Sequence, residues 1–313
     1  MRLQAIHQGE QAMQVAVDLG NTGLKLGWSN DQSTAVDPAH SLPMLAAPPL
    51  RLPWRIAAPS SRKPASSNPS GDSTQAIDPE DIQSLADWLR RHAPSDSQDQ
   101  GRRWVIGSVQ PTALASLRQV LADCFPGEPL VTVTKDHVPM STSVRYPERL
   151  GIDRLIAAYA CWVFRRVGPL IVVQSGTGLT IDYVDVDGVF QGGAILPGMP
   201  LMCQILAERT SALPRIEPVE SLGHLAIPGK ETVEAMQLGV YASWVGGAQW
   251  VIAQYRQHLG DSQLPVVISG GDGPALVPWI PAPAIELPHA VLRGLLRLDP
   301  EMADGGVVEN SSA

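Results

Sequence analysis

The stretch that most constrains the fold is Val15-Ala16-Val17-Asp18-Leu19-Gly20-Asn21-Thr22-Gly23-Leu24-Lys25-Leu26-Gly27-Trp28. It opens with a short β-branched run, as a buried strand does. The run stops at Asp18, and Gly20-Asn21 reads as a tight turn. Leu24, Leu26 and Trp28 then alternate with Lys25 and Gly27, the period of a second strand. The result is a β-hairpin whose turn carries an Asp, two small polar side chains and a nearby Lys. That set suits a phosphate: Gly20 lets backbone N–H groups approach an anion, Asn21 and Thr22 add donors, and Lys25 adds positive charge. Asp18 can hold a cation or its hydration water. No G-x-x-x-x-G-K-[ST] is present, so this is not a Walker loop. An ordinary hairpin with Asn-Thr at its turn also accounts for these residues.

The 313 residues suffice for two domains, and 44% apolar residues allow real cores. The net charge of −8, from 23 Lys+Arg against 31 Asp+Glu, argues against a general nucleic-acid binder. Cys124, Cys161 and Cys203 stand at neither zinc nor disulfide spacing, which points to a reducing compartment. Met1 to Met13 lacks the apolar segment of a signal peptide, and no run reaches the about 20 apolar residues of a membrane span. The expectation is a cytoplasmic protein that binds neither membrane nor nucleic acid.

Pro and Ser crowd residues 58–79, which read as a mobile loop. A helix is expected after Asp78-Pro79, with Leu85, Trp88 and Leu89 on it. Trp104–Val109 reads as a strand, Thr112–Phe125 as an amphipathic helix and Leu130–Thr134 as a strand. After Arg149-Leu150-Gly151-Ile152-Asp153-Arg154, Leu155–Phe164 is apolar nearly all round, as in a buried helix. Asp153 falls in its first turn, where the helix dipole favours a carboxylate, so helix capping and chemistry are both open for it. Pro169–Val184 repeats the opening design: apolar strand, Gly176-Thr177-Gly178 turn, second strand. Helices follow at Met199–Arg209 and Thr232–Gln257. Val266–Ser269 is a strand that enters the turn Gly270-Gly271-Asp272-Gly273. A last helix holds Val291, Leu292 and Leu295. Two such hairpins in successive halves imply a duplicated α/β unit, residues 14–142 and 143–302, with a nucleotide in the cleft between them and the third glycine turn near its base or ribose. Residues 1–13 and 303–313 read as flexible tails.

Taken in order, these segments resemble the type III pantothenate kinases of the acetate and sugar kinase/Hsp70/actin superfamily. Asp18-x-Gly20-Asn21-Thr22-x-x-Lys25 is similar to the family's first phosphate motif, and Gly107-Ser108-Val109-x-Pro111 to its Ser-Val-x-Pro segment. Gly151-x-Asp153-Arg154 resembles the Gly-x-Asp-Arg signature. Gly176-Thr177 with Thr180-Ile181-Asp182 resembles the second phosphate motif. Gly192-Gly193-x-Ile195-x-Pro197-Gly198, Thr210-x-x-Leu213-Pro214, Gly270-Gly271 and Leu292-x-Gly294-Leu295 also match. The resemblance implies duplicated ribonuclease H-like domains of the actin-like ATPase type. It also implies ATP-dependent phosphorylation of the primary hydroxyl of pantothenate, the first step toward coenzyme A. By it, Asp18, Leu19, Gly20, Asn21, Thr22, Gly23, Leu24, Lys25 and Thr177 hold ATP with its Mg2+. Gly151, Ile152, Asp153, Arg154 and Thr210 hold pantothenate, and Asp153 is the general base. Arg154 would take the pantothenate carboxylate in a bidentate contact. Thr210 would reach the partner's site in a homodimer.

Two positions depart from the family. An Asp that helps bind a monovalent cation, K+ or NH4+, is replaced by Gln174, whose amide brings no charge. The substrate-contacting Tyr is replaced by Val144, with Tyr146 two residues on as a substitute or as an ordinary tyrosine. Asp182 and Asp185 read as a hairpin and a turn residue, not a metal pair. A second reading of the whole chain is a non-catalytic regulatory relative of the Bvg accessory factor type. Gln174 favours it, whereas Asp18, Lys25, Asp153 and Arg154 favour catalysis.

Overall fold

A computed structural model of the chain describes residues 13–21, 23–29, 45, 49–53, 83, 86, 87, 90, 91, 101–166, 168–219, 223 and 225–298. Thr22, the loop expected at 58–79 and the tails expected at 1–13 and 303–313 lie outside them, apart from Met13. Of the helix expected after Asp78, the described residues Gln83, Ala86, Asp87, Arg90 and Arg91 are helical. The chain divides into two compact units, residues 1–137 with 295–313, and residues 138–294.

The first unit holds β1 (Met13–Leu19), β2 (Gly23–Trp28), β3 (Leu50–Pro53), β4 (Arg102–Ser108), α1 (Pro111–Cys124) and β5 (Leu130–Thr132). Its sheet runs β3-β2-β1-β4-β5. β1, β2 and β3 pair antiparallel, and β4 joins β1 and β5 in parallel. Alternation sets the faces: Val15, Val17, Leu19, Leu24 and Leu26 pack with Trp104, Ile106 and Leu117 in one core. Asp18 and Lys25 therefore share the opposite face.

The second unit holds α2 (Ile152–Arg165), β6 (Leu170–Ser175), β7 (Gly178–Val184), β8 (Phe190–Pro197), α3 (Met199–Arg209), α4 (Thr232–Leu259), β9 (Val266–Ser269), the short α5 (Gly273–Leu276) and β10 (Ala284–Glu286). Its sheet runs β10-β9-β6-β7-β8, with β6, β7 and β8 antiparallel and β9 parallel to β6 and β10. Read from the first strand outward, this is the order of the first sheet. Ile171, Val173, Leu179 and Ile181 meet Val240, Trp244, Ala248 and Ile252 of α4 in the core. The other face carries Gln174, Asp182 and Gly193. A last helix, α6 (Ala290–Arg297), closes the described chain.

Three strands escape the sequence pattern. β3 and β10 are only 4 and 3 residues long, too short for a period. β8 runs through Gly192-Gly193, a pair that reads as a loop.

Candidate active site

In the first unit the parallel strands β1 and β4 end together, Leu19 beside Ser108. The carboxyl ends of parallel strands are where open α/β sheets place ligands. The Gly20 N–H donates to the Gly23 carbonyl at 3.0 Å and closes the hairpin. Asp18 and Lys25 are cross-strand partners, and Lys25 Nζ lies 3.0 Å from Asp18 Oδ2. Asp18 is buried while Lys25 is partly exposed. Leu19 and Leu24 sit in the core, 1% exposed, so only their backbone can face a ligand. Asn21 stands at the tip, and its Oδ1 accepts a 2.6 Å bond from Gln110 Nε2. Gln110 is the N-cap of α1, and its backbone N–H donates to Ser108 Oγ at 3.0 Å. The Ser-Val-x-Pro segment thus braces the turn through Gln110, a residue that no sequence signal marks.

In the second unit the corresponding turn is Ser175-Gly176-Thr177-Gly178. Gly176 N–H donates to the Gly178 carbonyl, and the Thr177 carbonyl accepts the Gly198 N–H, both at 3.0 Å. The turn is seated on glycines: a Cβ on Gly198 would overlap the Gly176 carbonyl, and one on Gly270 (φ +99°) the Ser175 carbonyl. Trp244 Nε1 donates to Ser175 Oγ at 3.1 Å and pins the turn from below. Beside the third glycine turn lies a cleft of about 510 Å3, lined by Met199, Pro218, Val219, Gly271, Asp272, Pro274 and Ala275.

Helix α2 brings Gly151, Ile152, Asp153 and Arg154 to the same unit. Gly151 is its N-cap, in extended conformation. A Cβ there would come 2.6 Å from Asp153 Oδ1. This glycine therefore leaves room for the carboxylate, which accepts the Arg154 backbone N–H at 2.9 Å. Ile152 is buried. Arg154 turns inward. Its Nε donates to Asp182 Oδ2 at 3.2 Å and its Nη2 to Asp182 Oδ1, while Cζ stands 5.6 Å from the centre of the Phe190 ring. Two donors of the guanidinium are thus taken by Asp182. A guanidinium carries five N–H groups, so the Nη1/Nη2 side of Arg154 can still donate to a second acceptor. Burial pushes the Asp182 carboxyl up to about 6, although Arg154 pulls it down. Burial also lowers the affinity of Arg154 for its proton, but the Asp182 bond outweighs this and the net shift is upward. Tyr255 of α4, packed with the core on the other face of the sheet, donates its hydroxyl to the Ile181 carbonyl at 3.1 Å.

Gln174, one residue short of the end of β6, lies beside α2, with Nε2 3.4 Å from the Asp153 backbone carbonyl. Asp185 is a turn residue: its Oδ1 accepts the N–H groups of Asp187 and Val189, each at 2.9 Å. Thr210 caps the C-terminus of α3, donating to the Leu206 carbonyl at 2.7 Å, and is exposed. Tyr146 is 53% exposed and lies under the Arg149 guanidinium, 5.0 Å from ring centre to Cζ. The sequence missed the Arg154–Asp182 pair. Its signal was a lone Asp in the apolar run Leu179–Val184, in phase with Thr180.

Two sheets of one strand order, each opening with strand, glycine turn and strand, define a duplicated ribonuclease H-like protein of the actin-like ATPase and sugar kinase class. A family profile described as type III pantothenate kinase matches residues 65–254. The type III pantothenate kinase of Rhodopirellula baltica is 36% identical over 296 residues, 91% of this chain and 98% of that protein. That of Listeria monocytogenes is 33% identical over 203 residues, 64% of this chain and 74% of the relative. The chain belongs to the type III pantothenate kinase family. Among the described residues, no helix is long and apolar enough to cross a membrane.

Proposed function

We propose that this protein transfers the γ-phosphoryl group of ATP to the primary hydroxyl of pantothenate, giving 4′-phosphopantothenate. The observation that carries the reading is the pairing of Asp153 and Arg154 in the first turn of α2, in the unit that also holds the Gly176-Thr177 turn. Residues 14–142 supply the first phosphate turn, residues 143–302 the second turn and the substrate site. Gly20, Asn21, Thr22 and Gly23, with the backbone of Leu19 and Leu24, cradle phosphate oxygens, and so does Thr177. Lys25 meets developing negative charge, which is the main catalytic contribution in phosphoryl transfer. The cleft beside Gly271, apolar-walled with one carboxylate, suits a nucleoside.

Asp153 orients the hydroxyl and accepts its proton as the new O–P bond forms. Gly151 and Ile152 place the backbone against the substrate, and Arg154 meets its carboxylate. A divalent ion accompanies ATP and, when bound, neutralises phosphate charge. Asp18, an anion at the strand end, fits its hydration shell. A monovalent ion fits less well. At the position expected to ligate it stands an amide whose N–H faces the Asp153 carbonyl, and no step runs through such an ion. In this reading the enzyme is a cytoplasmic homodimer, with exposed Thr210 reaching the partner's substrate site and Tyr146 a peripheral contact at most.

Purified protein incubated with ATP, Mg2+ and pantothenate tests the reading. The expected result is stoichiometric ADP and 4′-phosphopantothenate. No product in K+, NH4+ or Na+ would overturn it in favour of a regulatory relative.

A further inference from the structure

Two anions act on the charge of Arg154. One is Asp182, on β7 and wholly buried; the other is Asp153, its neighbour in the chain, whose charge also acts on it. Arg154 Nε and Nη2 both donate to Asp182. Phe190 on one side and the Asp182 clamp on the other fix the plane of the guanidinium. The Arg154 side chain keeps 15% of its surface in contact with solvent. Five N–H groups leave a guanidinium in a rigid fork, so a clamp on the Nε/Nη2 edge leaves the Nη1 edge for an outside acceptor.

We propose that Asp182 is a positioning residue, which holds Arg154 off Asp153 and commits its outer edge to the substrate carboxylate. The proposal rests on the reading of Arg154 as the carboxylate contact. Without the Asp182 charge, the guanidinium would turn to the nearest remaining anion. That anion is Asp153, always present at high effective concentration, and not the substrate. Arg154 would then both leave the carboxylate and tie up the base.

The test compares pantothenate with its analogue bearing a hydroxymethyl group in place of the carboxylate, in the parent and in Asp182→Asn. The readout is the ratio of kcat/KM for the two substrates. A general loss of structure lowers both alike and leaves the ratio unchanged. The expected result is that the variant loses about 10- to 100-fold of the parent's preference for pantothenate, the size of one charge-assisted bidentate contact, with KM for ATP unchanged. An unchanged ratio would overturn the proposal while leaving the function standing. A parent that phosphorylates neither compound would overturn both.

If the variant fails to fold, the parent alone decides. The titratable and charged groups acting on Asp182 are Arg154, Asp153 and Cys161 from α2, with Tyr255 of α4 across the sheet. An aliphatic substrate carboxylate stays ionised above about pH 5. The preference for pantothenate should therefore fall between pH 7 and pH 5 as Asp182 takes up its proton. A preference constant over that range, in protein whose Asp182 carboxyl is seen by NMR to take up its proton within it, would overturn the proposal.

Discussion

Asp182 on β7 and Gly193 on β8 face each other across the sheet, and the carboxylate of the first occupies the space where the second has no side chain. A Cβ on Gly193 would run into Asp182 Oδ1 and the Ile181 carbonyl. The glycine at an edge strand is thus what allows a buried ion pair beneath it. Gly193→Ala is expected to cost about 1–3 kcal/mol of stability, the range for overpacking, and to weaken pantothenate use more than ATP use. Chemical denaturation and steady-state kinetics on the same preparation check both parts; parental stability would mean that the sheet edge yields freely.

Asp153→Asn is expected to lower kcat by about 10²–10⁴-fold, the usual weight of a general base, with the fold retained. Its Oδ1 accepts the Arg154 N–H in the first turn of α2, a bond that an Asn oxygen can keep. Circular dichroism and a turnover assay decide. Near-parental kcat would leave Asp153 as a helix-terminus residue and nothing more.

Lys25→Ala is expected to raise KM for ATP about tenfold, the weight of one charge-assisted contact, and to leave KM for pantothenate within about twofold. The loss of Nζ also strips buried Asp18 of its ion pair, so a modest fall in stability accompanies it. Equal effects on both substrates would show that the pair shapes the hairpin instead of meeting phosphate.

Asp182 makes the stability of the fold depend on pH. Its carboxyl rises from 3.8 to about 6 on folding, so the folded state binds this proton more tightly than the unfolded one. The contribution is fully present below about pH 4 and is lost as pH rises through about 6. Urea unfolding at steps from pH 4 to pH 7.5 should show the parent losing stability relative to Asp182→Asn across that window. A flat difference would mean that Arg154 keeps the carboxyl ionised throughout.

Gln174 should make the enzyme indifferent to monovalent cations. Its amide N–H faces the Asp153 carbonyl, where a cation would instead need acceptors. Both Tm and kcat of the parent are expected to match in K+ and in tetramethylammonium. Gln174→Asp should lose Tm in tetramethylammonium and regain it in K+. Saturable activation of the parent by K+ would show that neutral oxygens suffice.

The two hairpins were legible because each packs strand period, glycine turn and a polar residue at the strand end into about fifteen residues. Helix α2 was legible for a similar reason, since Leu155–Phe164 is apolar on every side and the structure runs it from Ile152 to Arg165. The partner of Arg154 was not. Arg154 and Asp182 are 28 residues apart, and local periodicity carries no information on which buried anion a long side chain will find. β8 was hidden because Gly193 makes room for Asp182 and Gly192 takes a φ of +96°, two demands that together look like a local loop. Gln110 reaches Asn21 across 89 residues and was invisible for the same reason.

The common strand order gives every position near a strand end a counterpart in the other unit. Asp18, one residue short of the end of β1, lies across from Lys25; Gln174, one residue short of the end of β6, lies across from Thr180. An ionic couple in one copy is a neutral couple in the other. The two sheets share one strand order, while the pair at the end of the first hairpin is ionic and that of the second is neutral and polar. The molecule therefore holds its own reference state: the reciprocal exchange, Asp18→Gln with Gln174→Asp, alters where the charge resides without altering how much there is.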